Sequence, residues 1–181
     1  MSDAAIEPDA EALAADAEAR AQALDGARSF IVQAPAGSGK TGLLIQRYLV
    51  LLARADAPEQ ILAITFTRKA AAQMRQRILD AIRQAAQPPP EAEFARRTWA
   101  LAVAVAARDR QRDWRLLRRT ERLRVQTIDS FCQSLVRRYP LRARLPAGAQ
   151  PVEDADELHR EACTALFTHL NNNRPIKNTL S

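Results

Sequence analysis

The chain has 181 residues, enough for one domain or for one domain and part of another. Its 47% hydrophobic and 27% charged residues are ordinary for a globular protein; no apolar run approaches a membrane span, and the acidic N-terminus lacks the basic-then-apolar order of a signal peptide. The net charge of +6 is unevenly spread: residues 1–27 hold seven acids and one Arg, whereas residues 68–144 hold 18 Arg and one Lys against seven acids, a net of +12. Such a field suits a polyanion, nucleic acid above all, although solvated helix faces in an Arg-rich composition would give the same count.

In chain order, Asp9 to Leu24 is Ala-rich and predicts a helix stopped near Gly26. "SFIVQ" (29–33) reads as a short buried strand, and Gly39 to Arg54 carries Leu43, Leu44, Tyr48, Leu51 and Leu52 at helical spacing. "ILAITF" (61–66) predicts a second buried strand, and Arg68 to Ala86 a helix ended sharply by Pro88-Pro89-Pro90. Residues 91–121 read as all-helical and very basic. "LRVQTI" (123–128) predicts a third strand, Asp129 to Tyr139 a packed helix stopped by Pro140, "RARLPAGAQP" (142–151) a loop, and 154–170 a last helix. Strands separated by helices predict βαβ units and a parallel sheet, an α/β fold.

All four Asn of the chain fall in "NNNRPIKNTLS" (171–181), which has no Ala, although Ala is about a fifth of the whole. That break predicts an atypical tail and a reading interrupted near residue 170; an ordinary polar tail is the alternative. Cys132 and Cys163 lie 31 apart without a CxxC, so neither a disulfide framework nor a zinc site is legible, and reduced cytoplasm is the expected setting.

The chemistry concentrates at Ala34-Pro35-Ala36-Gly37-Ser38-Gly39-Lys40-Thr41, a phosphate-loop pattern between a predicted strand and a helix. Gly37 and Gly39 lack Cβ atoms, so backbone N–H groups can wrap a β-phosphate. Lys40 places a point charge between β- and γ-phosphates, and Thr41 offers a hydroxyl to Mg²⁺. Hydrolysis further needs a strand-end carboxylate and an oriented water. The downstream acids "VEDADE" (152–157) follow "PAGAQP" rather than a strand, so they read as helix-start acids. By this reading the chain binds a nucleotide and lacks half the machinery that cleaves it.

"TFTRKAAAQM" (65–74) joins the second strand to its helix: Thr65 and Thr67 bring hydroxyls to the sheet's carboxyl edge, Phe66 a stacking surface, Arg68 and Lys69 phosphate-seeking charge. "TIDSFC" (127–132) repeats the design with Thr127, Ser130 and Phe131. Helix capping and core packing are the alternative for each segment alone. His159 and His169 read as surface or packing residues, Trp99 and Trp114 as packing of the basic helical stretch, and Cys132 as a small buried hydrophobe.

Together, "APAGSGKT", "ILAITFTRKAAAQMRQRI" and "TIDSFC" resemble motifs I, Ia and Ib of the UvrD-like superfamily 1 DNA helicases, nearest in wording to the RecB/AddA helicase–nuclease branch. The resemblance covers about residues 12–170. It implies a partial RecA-like P-loop NTPase domain over residues 1–140, including the basic segment 88–122, and the start of a helical insertion over 141–170. It implies ATP and Mg²⁺ as cofactors, with Lys40 and Thr41 catalytic and Gln22 reading adenine beside the loop. It further implies single- or double-stranded DNA as partner, touched by Thr65, Phe66, Thr67, Arg68, Lys69, Thr127, Ser130 and Phe131, and a second helicase–nuclease subunit. Gln73 departs from the family's usual Glu, and the later motifs are absent from these 181 residues. A non-catalytic nucleotide- or DNA-binding remnant and another P-loop phosphotransferase remain the alternatives.

Overall fold

The computed structural model describes residues 10–35, 37–139 and 155–172. Its elements in order are helix α1 (Ala10–Gln22), helix α2 (Lys40–Arg54), strand β1 (Leu62–Thr65), helix α3 (Arg68–Gln84), helix α4 (Glu93–Arg112), strand β2 (Arg124–Thr127), helix α5 (Ile128–Arg138) and helix α6 (Asp156–Asn172). β1 and β2 pair in parallel, with Leu62 opposite Arg124 and Thr65 opposite Thr127. A parallel pair requires a long crossover, which α3 and α4 supply. This is a mixed α/β domain with a small parallel sheet flanked by helices, as in a partial RecA-like P-loop fold.

The core forms where α2, α3 and α4 meet. Ile45, Tyr48, Leu49 and Leu52 recur on one face of α2; Met74, Ile78, Leu79 and Ile82 of α3 and Ala102 and Val105 of α4 close over them. α3 starts at Thr67, whose hydroxyl accepts from the Ala70 N–H at 3.1 Å, and the prolines at 88–90 bar its continuation. Val125 is fully buried on the side of the sheet toward α3, and the Arg75 guanidinium donates to its carbonyl at 2.6 Å.

Five expectations need correction. "SFIVQ" carries no regular secondary structure, and Ile31 is 99% exposed. A strand buried on both faces needs neighbours on both sides, and among the described residues none pairs with it. β1 is only half-buried, and on one face: Leu62 and Ile64 are 38% and 47% exposed on the other. Residues 91–121 are not helical throughout. α4 ends at Arg112, Asp113 and Arg115 take positive φ (50° and 59°), and a 3-10 turn spans Thr120–Arg122. The break has a packing reason: Trp114 and Leu116 are both buried, and two residues apart on a helix they would point to nearly opposite sides. Asp109 secures the turn, its carboxylate accepting from the Leu116 N–H at 3.1 Å and its carbonyl from the Trp114 N–H at 3.1 Å. Finally, α5 has no buried residue, and Cys132 is exposed rather than packed.

The chain divides into two units, Met1–Ser134 and Leu135–Ser181. In the second, Asp156 and Glu157 sit in the first turn of α6, as helix-start acids should, and Leu158, Leu166 and Phe167 are exposed. The loop 142–151, the first three residues of the acidic stretch 152–157 and the tail from 173 onward lie outside the described residues. Among the described residues no helix is long and apolar enough to cross a membrane.

Tyr48 offers a test of the core. It is 3% exposed, its hydroxyl has no protein hydrogen-bond partner, and burial pushes its pKa up to about 12, against the pull of Arg75. An unfolded tyrosine ionises near pH ~10, so the folded state loses stability as pH climbs from there through 12. Tyr48→Phe is expected to abolish that alkaline decline, and at pH ~8 to match wild type or exceed it by about 1 kcal/mol. Urea unfolding on both sides of pH 10 measures it.

Candidate nucleotide and DNA sites

The phosphate loop takes its shape from two glycines. Gly37 and Gly39 both have φ of 81°, a backbone region that disfavours side chains, and a Cβ at Gly37 would meet nothing within 4 Å. Gly39 is the N-cap of α2, so the first N–H groups of that helix converge on the loop. Lys40 folds back, its Nζ donating to the Ala34 carbonyl at 2.6 Å and to the Pro35 carbonyl. The Ser38 hydroxyl is buried without a protein partner, and Thr41 is exposed in the first turn. An open backbone nest, an unpartnered hydroxyl and a lysine at hand fit a polyphosphate with its Mg²⁺. Ala36 lies outside the described residues.

The loop opens into a cavity of about 270 Å³ between the end of α1 and residues 30–34, lined among others by Gln22, Phe30, Ala34, Ser38 and Lys40. Gln22 lines the cavity, and its amide donates to Glu18 Oε1 at 3.2 Å. Two arginines that sequence reasoning passed over organise this region: Arg20 lines the cavity, and Arg47 holds the turn beside it. Arg20 donates to Asp16 Oδ2 at 2.6 Å and to the Ser38 carbonyl at 2.8 Å. Arg47 of α2 gathers the turn after α1: Nη1 donates to the carbonyls of Ala23 (2.6 Å) and Asp25 (3.1 Å), and Nη2 to that of Arg28 (2.7 Å). Its guanidinium also lies 5.3 Å from the centre of the Phe30 ring, with Arg28 at 5.2 Å. The spacing of Asp16 and Arg20, four apart on one helix, was the available signal for the first; nothing local signalled the second.

The DNA-facing candidates come together because β1 and β2 end in register, Thr65 beside Thr127. Phe66 stands just beyond β1 at 89% exposure, and Arg68 and Lys69 are exposed at the start of α3. The hydroxyls are engaged locally: Thr65 donates to the Thr67 carbonyl (3.1 Å), Thr67 caps α3, and Thr127 donates to Ser130 Oγ (2.9 Å) and accepts from the Ser130 N–H (3.2 Å). Thr127 is buried, and Ser130 and Phe131 are half-buried in α5. The candidate surface thus offers an exposed aromatic and two cations more than it offers hydroxyls. Trp114 packs in the core, Trp99 donates to the Gln87 carbonyl at 2.9 Å, and no group of three His, Cys, Asp or Glu among the described residues could hold a metal.

The Arg47 fork yields a prediction. Arg47→Ala is expected to raise amide hydrogen exchange across residues 23–30 while α3 and α4 stay protected, because three carbonyls lose their donor and the core loses nothing. Arg47→Lys should rescue only in part, since an ammonium cannot span the fork.

Comparison with known proteins agrees with this geometry. The family described as UvrD/REP helicase N-terminal domain matches residues 15–180. An ATP-dependent helicase/nuclease subunit from Levilactobacillus brevis is 37% identical over 114 residues, 61% of this chain and 8% of that protein. Its counterpart from Moorella thermoacetica is 34% identical over 131 residues (71% and 8%), and that from Desulforamulus reducens 31% over 144 residues (77% and 10%). The chain thus spans no more than a tenth of the length of these relatives. No solved structure matches it. With the phosphate loop, the parallel pair and the family match all falling on the same residues, the chain belongs to the UvrD/REP helicase N-terminal domain family.

Proposed function

We propose that this chain is the ATP-binding, strand-gripping part of an ATP-dependent DNA helicase of the helicase/nuclease kind, acting 3′→5′ in DNA repair and recombination beside a second subunit. The observation that carries the reading is the loop at the start of α2, where two glycines at φ 81° open a backbone nest beside Lys40. Lys40 would release its loop carbonyls and turn to the β- and γ-phosphates, while the Thr41 hydroxyl would hold Mg²⁺. The metal when bound neutralises developing charge on the phosphates. Gln22, at the mouth of the same cavity, would meet the base.

Phe66, Arg68 and Lys69 would grip single-stranded DNA at the carboxyl edge of β1, with Thr127, Ser130 and Phe131 shaping the neighbouring edge of β2. An exposed aromatic between strand and helix is suited to stacking on any base, and the cations to backbone phosphates. Turnover asks for more than these residues supply, since a strand-end carboxylate and a charge donated from a second domain complete such sites.

Three measurements test the proposal. Lys40→Ala should abolish binding of a fluorescent ATP analogue with Mg²⁺; equal binding by wild type and variant would overturn the nucleotide site. Phe66→Ala should cost about 1–3 kcal/mol in single-stranded DNA affinity. Arg68→Ala and Lys69→Ala should instead flatten the salt dependence of that affinity. Residues 1–181 alone should show no DNA-stimulated phosphate release; turnover that disappears in Lys40→Ala would require a carboxylate such as Asp129 to serve the metal.

A further inference from the structure

We propose that Arg20 is a positioning residue of the phosphate loop: holding the Ser38 carbonyl from outside, it sets the peptide that aims the Gly39 N–H into the nest. The inference rests on the ATP-binding reading and deepens it. Across a trans peptide the C=O and N–H point to opposite sides, and no peptide among the described residues is cis. Arg20 Nη2 draws the Ser38 carbonyl toward α1 at 2.8 Å, so the following N–H is turned the other way. That peptide needs a hold. Gly39 has no side chain to resist its rotation, and with φ 81° and ψ 16° it sits where glycine moves freely.

The holding group is itself held. Arg20 Nε donates to Asp16 Oδ2 at 2.6 Å, one helical turn back, so α1, guanidinium and loop form one chain of contacts. Packing agrees with the hydrogen bonds: a Cβ at Gly39 would lie 3.6 Å from Arg20 Nη1, so the guanidinium rests against the glycine. The arrangement matters most when nucleotide binds. Lys40 then leaves the Ala34 and Pro35 carbonyls for phosphate, and Arg20 is the side chain that still holds a loop carbonyl. Its role lies behind the nest, with no contact to ligand required.

Calorimetric binding of Mg·ATP, Mg·GTP and Mg·tripolyphosphate to the 181-residue chain separates the possibilities. Arg20→Ala should weaken ATP and tripolyphosphate alike, by about tenfold or more, and leave the ATP-to-GTP ratio unchanged. Arg20→Lys should recover part of the loss, because one ammonium can reach the Ser38 carbonyl but cannot also span to Asp16. Asp16→Asn should weaken both ligands to a smaller degree. Unchanged tripolyphosphate binding in Arg20→Ala overturns the inference; so does a loss confined to ATP, which would make Arg20 a base contact. Should Arg20→Ala unfold, Arg20→Lys and Asp16→Asn decide, and wild-type affinity for tripolyphosphate in both would overturn it. Failure of wild type to bind ATP would remove the nucleotide reading and this one together, whereas loss in Lys40→Ala without loss in Arg20→Ala would remove this one alone.

Discussion

The seating of α2 governs the rest of the molecule. Leu49 and Leu52 are wholly excluded from solvent between α3 and α4, and burying a leucine contributes roughly 1.5–3 kcal/mol. Sliding the helix register by one residue would turn each side chain by about 100° and bring both leucines out of the core. The position of Lys40, at the other end of the same helix, is therefore fixed by packing well away from it. Gln46 ties the arrangement to α4 through the Phe94 carbonyl and the Thr98 hydroxyl, and Gly42 leaves room for the Phe94 ring, which a Cβ there would meet at 2.6 Å.

The basic character of residues 68–144 divides between structure and surface. Arg75 holds a strand carbonyl, Arg96 the carbonyls of Pro90 and Glu91, and Arg108 that of Ala55. Arg108 and Arg112 share Asp56, and Arg122 forks onto Glu59, whose carboxyl is held below its ordinary range chiefly by that hydrogen bond. These arginines knit turns to helices, and the field available to a polyanion is smaller than the count of charges. The cations that face outward beside the sheet, Arg68 and Lys69, are few but adjoin the one fully presented aromatic of that edge, Phe66. A surface of that composition is suited to shape and charge rather than to sequence.

The hydroxyls at the carboxyl edge of the sheet have a structural task. Thr67 and Thr127 satisfy N–H groups at the starts of α3 and α5, and so fix the turn that exposes Phe66 and the start of the helix that carries Phe131. Capping by these hydroxyls is compatible with a proposed ligand contact through Phe66, Arg68 and Lys69, because different groups would carry the two tasks.

The sequence by itself determined the local features. Gly37 and Gly39 before Lys40, the caps at Thr67 and Thr127, the prolines at 88–90 and the apolar periodicity of α2 and α3 each act within a few residues, so spacing alone exposed them. Three motifs in order also sufficed to place the chain in its family. Tertiary structure decided what depends on distant partners. "SFIVQ" has strand composition but no strand beside it among the described residues, α4 stops so that Trp114 and Leu116 can both reach the core, and Arg47 finds carbonyls 19 to 24 residues away. Pattern records which side chains prefer burial; only the fold decides which backbone groups stand close enough to receive a guanidinium or a neighbouring strand.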